Sequence, residues 1–256
     1  VQHCPSCDKY TTGIDADFSL VGESKVLWKV EAERRCECGY KVTFEEDIDV
    51  TSPVAPKVII AGTGRTGTTF LMRLLTALGL DTGWPSETAW MPRPPGVEPG
   101  RTSGFELGIL EHPIYQYLSP VIMKGPVWST ALRTSLSLGF MVKPQHILIP
   151  FRDLQSAAES RLNADLLWGN PEHVKTVADQ KSVLAHVFGE IIATAIEYDV
   201  PYTIMRYPEF IQDPEVCREQ LTRALPQVEE IDEGVFTETQ RQIADLSKVK
   251  YKQEAA

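Results

Sequence analysis

No run of apolar residues in this chain is long enough to cross a membrane; the longest, around Val58, falls well short of the roughly 20 residues that a spanning helix needs. Nothing near Val1 has the pattern of a secretory signal, so a cytoplasmic protein without a membrane segment is expected. Positive charge is scarce: 25 Lys and Arg face 35 Asp and Glu, for a formal net charge of −10. That balance argues against broad nonspecific binding to nucleic acid or to anionic membranes, because both rest on clustered cations. An anionic ligand must therefore meet a local basic pocket. Cysteine is scarce as well, and unevenly spread, with Cys4, Cys7, Cys36 and Cys38 in the first 40 residues and Cys217 alone. This grouping suits a metal site better than a disulfide framework.

What is present begins with those cysteines. Two short hairpins, one carrying Cys4 and Cys7 and the other Cys36 and Cys38, are separated by 28 residues. The intervening runs at 18–22 and 26–30 are apolar and β-favouring, suited to a small antiparallel sheet. A zinc ribbon over residues 1–50 is expected, with four thiolates closing a tetrahedral structural site. The metal would supply much of the folding energy of so small a module, on the order of 10 kcal/mol or more. The second pair is Cys-x-Cys, and His3 is an alternative ligand; reduced thiol hairpins without metal, or a redox pair, are the competing reading. Residues 1–50 hold six Lys or Arg against eleven Asp or Glu, which favours a structural role or a protein partner over nucleic acid.

Residues 51–56, ThrSerProValAlaPro, read as a linker, and a second domain is expected over 57–256. The 256 residues suffice for one sizeable core beside the small module. Residues 57–62 form a β-branched run that predicts a buried strand, and 68–79 a helix closed by Gly79. Between them Gly62, Gly64 and Gly67 permit close backbone approach, and the amides at the helix start point at an anion. The usual phosphate loop carries a lysine after its last glycine, but here Thr68 stands there and the nearby cation is Arg65. Further strands are expected at 145–152 and 200–207, with helices at 153–162 and 214–225. Such alternation predicts an α/β fold: a mostly parallel sheet with helices on both faces and ligands at the carboxyl ends of the strands. Arg152 and Tyr207 fall at those ends.

Arg65 with its loop, Arg152 with Ser160 eight residues on, and the segment 206–215 together resemble the P-loop sulfotransferase family that uses 3′-phosphoadenosine-5′-phosphosulfate (PAPS). The resemblance covers roughly residues 57–225. It implies that Gly64, Arg65, Thr66, Gly67, Thr68 and Thr69 hold the 5′-phosphosulfate and that Arg152 and Ser160 grip the 3′-phosphate. It further implies that Phe70 lies against adenine and that Tyr207 occupies a cofactor-binding position. Lys124 resembles the lysine that many members aim at the transferring group. The histidine base that cytosolic members place two residues beyond it is absent, because Pro126 stands there.

Another branch of the family uses a glutamate soon after the first helix, and Glu87, 22 residues after Arg65, resembles it. Trp84 and Trp90 are expected to desolvate its carboxylate and raise its pKa from about 4.3, making it a better base near neutrality. His112 and Glu106 are reserve candidates. The irregular segment from Trp84 to Tyr117, rich in Pro, Gly and aromatics, is of the kind that shapes an acceptor pocket or a lid. The acceptor itself, whether small molecule, carbohydrate or protein, is not named by these residues. Two other readings remain: a P-loop kinase or NTPase, with Asp153 the nearest imitation of its magnesium acid, and a nucleotide-binding or partner-docking protein without catalysis.

Overall fold

The computed structural model describes residues 13–21, 27–35, 41–49, 54–90, 119–125, 128–163 and 174–253. The N-terminal part is an antiparallel meander of β1 (Gly13–Val21), β2 (Leu27–Arg35) and β3 (Lys41–Asp49). Gly13 pairs with Arg35 and Arg35 with Lys41, so the chain enters β1, leaves β2 and enters β3 at one end of the sheet. The segment with Cys4 and Cys7 and the connection with Cys36 and Cys38 both join the sheet at that end. The four cysteines and His3 lie outside the described residues, and so does any zinc ribbon they would complete. Among the described residues no group of three or more His, Cys, Asp or Glu is arranged to hold a metal ion.

The main body is an α/β layer structure. In chain order it comprises β4 (Val58–Ile60), α1 (Thr68–Ala77), a 3-10 turn (Ser86–Trp90), β5 (Ile122–Lys124), α2 (Trp128–Ser137), β6 (His146–Phe151) and α3 (Leu154–Asn163). Then follow α4 (Val177–Glu197), β7 (Tyr202–Arg206), α5 (Glu209–Gln212), α6 (Pro214–Thr222), a second 3-10 turn (Pro226–Glu230) and α7 (Glu233–Gln253). The sheet order is β5-β4-β6-β7, and every neighbouring pair is parallel.

The pleat divides the core in two. Val58, Ile60, Leu148 and Met205 face one side, where α1, α6 and α7 bring Leu71, Leu74, Leu221 and Phe236. Ile59, Met123, Ile147 and Ile149 face the other, under Trp128 and Leu132 of α2 and Val187 and Ile191 of α4. Both faces are thus covered, as a parallel sheet requires, because its strands carry apolar side chains on each side. Each fully buried Leu or Ile contributes about 1.5–3 kcal/mol relative to exposure.

Local signals fix the helix starts. Thr176 and Asp179 form a reciprocal capping box at α4, and Asp213 accepts from the Glu215 and Val216 amides ahead of Pro214 at α6. Among the described residues no helix is long and apolar enough to cross a membrane.

Candidate functional site

All four parallel strands end at one edge, and the register aligns their ends: Ile60 lies beside Lys124 and Leu148, and Phe151 beside Arg206. The glycine loop follows β4 there, Arg152 follows β6, and Tyr207 follows β7, its amide donating to the Phe151 carbonyl at 2.7 Å. In open parallel α/β sheets ligand sites form at the carboxyl ends of the strands, where the loops from strand to helix lie.

The loop itself holds three left-handed residues in four positions: Gly64 at φ 71°, Arg65 at φ 59° and Gly67 at φ 94°. For Arg65 this conformation costs on the order of 1–3 kcal/mol, which the surroundings must offset. Its side chain supplies part of the offset, since Arg65 Nε donates to Ser160 Oγ at 3.1 Å. Its carbonyl lies 3.5 Å from Arg152 Nη1, at the limit of a hydrogen bond. Gly67 caps α1 with no side-chain hydrogen bond, and a methyl group at Gly67 would come 2.7 Å from Phe210 Cζ and 3.4 Å from Tyr207 Cδ2. Phe210 and Tyr207 therefore wall one side of the loop.

A third arginine closes the other side. Arg161 Nη1 donates to the Thr63 carbonyl at 2.9 Å, and a methyl group at Gly64 would stand 2.5 Å from that same nitrogen. Burial, and then the neighbouring charge of Arg65, lower the Arg161 pKa to about 10, so it stays cationic at neutral pH. The Arg152 guanidinium lies over the Tyr207 ring, 5.0 Å from its centroid, a geometry in which the ring face attracts the cation. The chain is acidic overall, yet these three guanidinium groups gather at one loop.

The expected residues divide into those that offer surface and those that do not. Gly64, Arg65, Gly67, Thr69, Arg152, Ser160 and Tyr207 are partly exposed around the loop. Thr66 is 1% exposed and Thr68 is buried, so in this conformation they support the loop from beneath. Phe70 differs from the expected adenine contact: its ring is buried in the core, tilted against Phe210 at 5.8 Å between centroids. The apolar positions of α1 face the sheet, and Phe70 shares that stripe. Lys124 is 3% exposed, buried beside the loop strand at the level of Ile60.

Glu87 corrects a second expectation. It lies exposed on the 3-10 turn after α1 rather than desolvated by burial, Trp84 packs on the core cluster, and Trp90 is itself exposed. The turn is held locally, with Thr88 donating through both its amide and its hydroxyl to the Pro85 carbonyl. Glu106 and His112 lie outside the described residues, as do 91–118 of the irregular segment. Asp153, the acid of the kinase or NTPase reading, is exposed and accepts from the Ser156 amide and hydroxyl at 2.9 and 3.1 Å, capping α3, and those bonds hold its carboxyl below the usual range.

Sequence reasoning missed Arg161 and Ser129. Ser129 Oγ donates to the Gly62 carbonyl at 3.0 Å from the first turn of α2, fixing the entry of the loop. Arg161 directly follows the expected Ser160 and was hidden because helical spacing, not adjacency, suggests shared function. Comparison of the chain with protein-family models, with curated proteins and with solved structures gives no match.

Proposed function

We propose that the chain is a sulfotransferase that moves a sulfuryl group from PAPS to a hydroxyl or amine acceptor. The observation that carries this reading is the meeting of Arg65, Arg152 and Ser160 at one glycine loop, with Arg65 Nε 3.1 Å from Ser160 Oγ across 95 residues of sequence. On this reading the 5′-phosphosulfate lies along Gly64 to Thr69 and the 3′-phosphate between Arg152 and Ser160. Arg65 in the loop, with Thr68 where the usual triphosphate loop carries its lysine, fits a nucleotide sulfate better than a metal-bound triphosphate.

The transfer needs little covalent help from the protein. The acceptor oxygen or nitrogen attacks sulfur in line, the bond from sulfur to the 5′-phosphate oxygen breaks, and adenosine 3′,5′-bisphosphate leaves with the electron pair. Arg65, the loop amides and Lys124 stabilise the charge that builds on the departing phosphate. Glu87 takes the acceptor proton, with an exposed carboxylate that an acceptor can reach directly. The N-terminal module is proposed as a zinc ribbon held by Cys4, Cys7, Cys36 and Cys38, which the meander supports by receiving both cysteine-bearing segments at one end. Zinc there supplies folding energy and takes no part in transfer.

Pro126, which stands where cytosolic members of the family place their histidine base, favours a second reading, a nucleotide-binding or partner-docking protein that performs no transfer. Calorimetric titration with adenosine 3′,5′-bisphosphate tests the shared premise. Binding that weakens at least about tenfold in Arg152→Ala, as loss of a charged hydrogen bond requires, supports a 3′-phosphate site. Binding indifferent to Arg152 would overturn it. Release of bisphosphate from PAPS in the presence of acceptors then separates enzyme from docking protein.

A further inference from the structure

We infer that Arg161 is the positioning residue of the phosphate loop: by holding the Thr63 carbonyl it turns the Gly64 amide toward the 5′-phosphate group of the ligand. This rests on the sulfotransferase reading and adds to it a residue that the resemblance does not supply.

A trans peptide is planar, so the Thr63 carbonyl and the Gly64 N–H point in opposite directions. Arg161 Nη1 binds that carbonyl at 2.9 Å. Fixing the carbonyl on the α3 side fixes the Gly64 N–H on the other, where the left-handed run at 64–67 forms its hollow. Glycine at 64 suits the same arrangement. Its backbone at φ 71° disfavours a side chain, and the space a Cβ would take is filled by Arg161 Nη1 at 2.5 Å.

Arg161 is itself well anchored. The Asp153 cap starts α3, and Ala157 and Ala158 pack with Leu184 of α4, so the helix is fixed before its second turn reaches the loop. Arg161 and Arg65 are like charges held close together by these contacts, which an anion between the loop amides would relieve. The two arginines of this arm thus divide the ligand: Arg152 meets the 3′-phosphate, and Arg161 acts through the backbone on the 5′ end.

The division is open to test by titrating the full chain and two variants with adenosine 3′,5′-bisphosphate, adenosine 5′-monophosphate and adenosine 3′-monophosphate. In Arg161→Gln, affinity for the two ligands with a 5′-phosphate falls at least about tenfold, while the 3′-monophosphate stays within about twofold. Arg161→Lys, which keeps a charged donor, recovers most of the lost affinity; it also serves if the glutamine variant does not fold. Equal loss for all three ligands would reduce Arg161 to a general structural role, and unchanged affinities would remove it from the site. If the unaltered chain binds none of the three, the sulfotransferase reading falls and this inference with it.

Discussion

The phosphate loop and the turn that carries Glu87 flank the same helix, α1, and are built in opposite ways. The loop is held from a distance: Ser160 and Arg161, 95 and 98 residues away from their partners, fix Arg65 and Thr63, while Phe210 and Tyr207 crowd Gly67. It keeps a strained backbone that nothing local would maintain. The Glu87 turn is held by its neighbours, through Thr88 and Pro85, and Glu87 is exposed on it. One region is held in place by distant side chains, which suits the electrostatic stabilisation of a leaving group on the proposed reading.

That contrast can be broken at either end. The largest effect is expected from Glu87→Gln, which removes the proposed base: PAPS turnover falls about 100-fold or more while bisphosphate affinity holds, measured by steady-state rates beside calorimetry. An unchanged rate would take Glu87 out of the reaction and leave the turn a surface feature. Gly67→Ala strikes the organised side. Strain at φ 94° and overlap with Phe210 are expected to cost about 2–4 kcal/mol of stability in urea unfolding, with bisphosphate binding lost. A variant of normal stability and affinity would show the loop to be less tightly held than its contacts indicate.

Phe70→Leu is the mildest. As a core residue it costs about 1–1.5 kcal/mol of stability and leaves nucleotide affinity within about twofold. A ring stacked on adenine would instead lose about 1–3 kcal/mol of binding.

Much of the scaffold was legible in the sequence because it obeys local rules. The β-branched run at 57–62 contains β4, the run at 145–152 contains β6, and Pro214 with Asp213 marks the start of α6. At the C-terminal end, α7 carries Phe236 and Ile243 into the core, and its Gln240 donates to the Phe210 and Ile211 carbonyls. The strand order was not legible, since the pairing of β4 with both β5 and β6 depends on contacts far apart in sequence. The site was legible where a side chain follows a strand end, as with Arg152, and illegible where burial decides. Whether Thr66 and Phe70 face ligand or core, and whether Trp84 covers Glu87 or the sheet, depends on how α1 is rotated against the sheet. Arg161 was missed for a related reason: its partner is a backbone carbonyl, which carries no mark in the sequence.

The most direct measurement is competition between adenosine 3′,5′-bisphosphate and magnesium ATP for the unaltered chain, followed by calorimetry. A sulfotransferase site binds the bisphosphate, and magnesium ATP at equal concentration barely displaces it. Preferential binding of magnesium ATP would overturn the sulfotransferase proposal and return the loop to triphosphate chemistry.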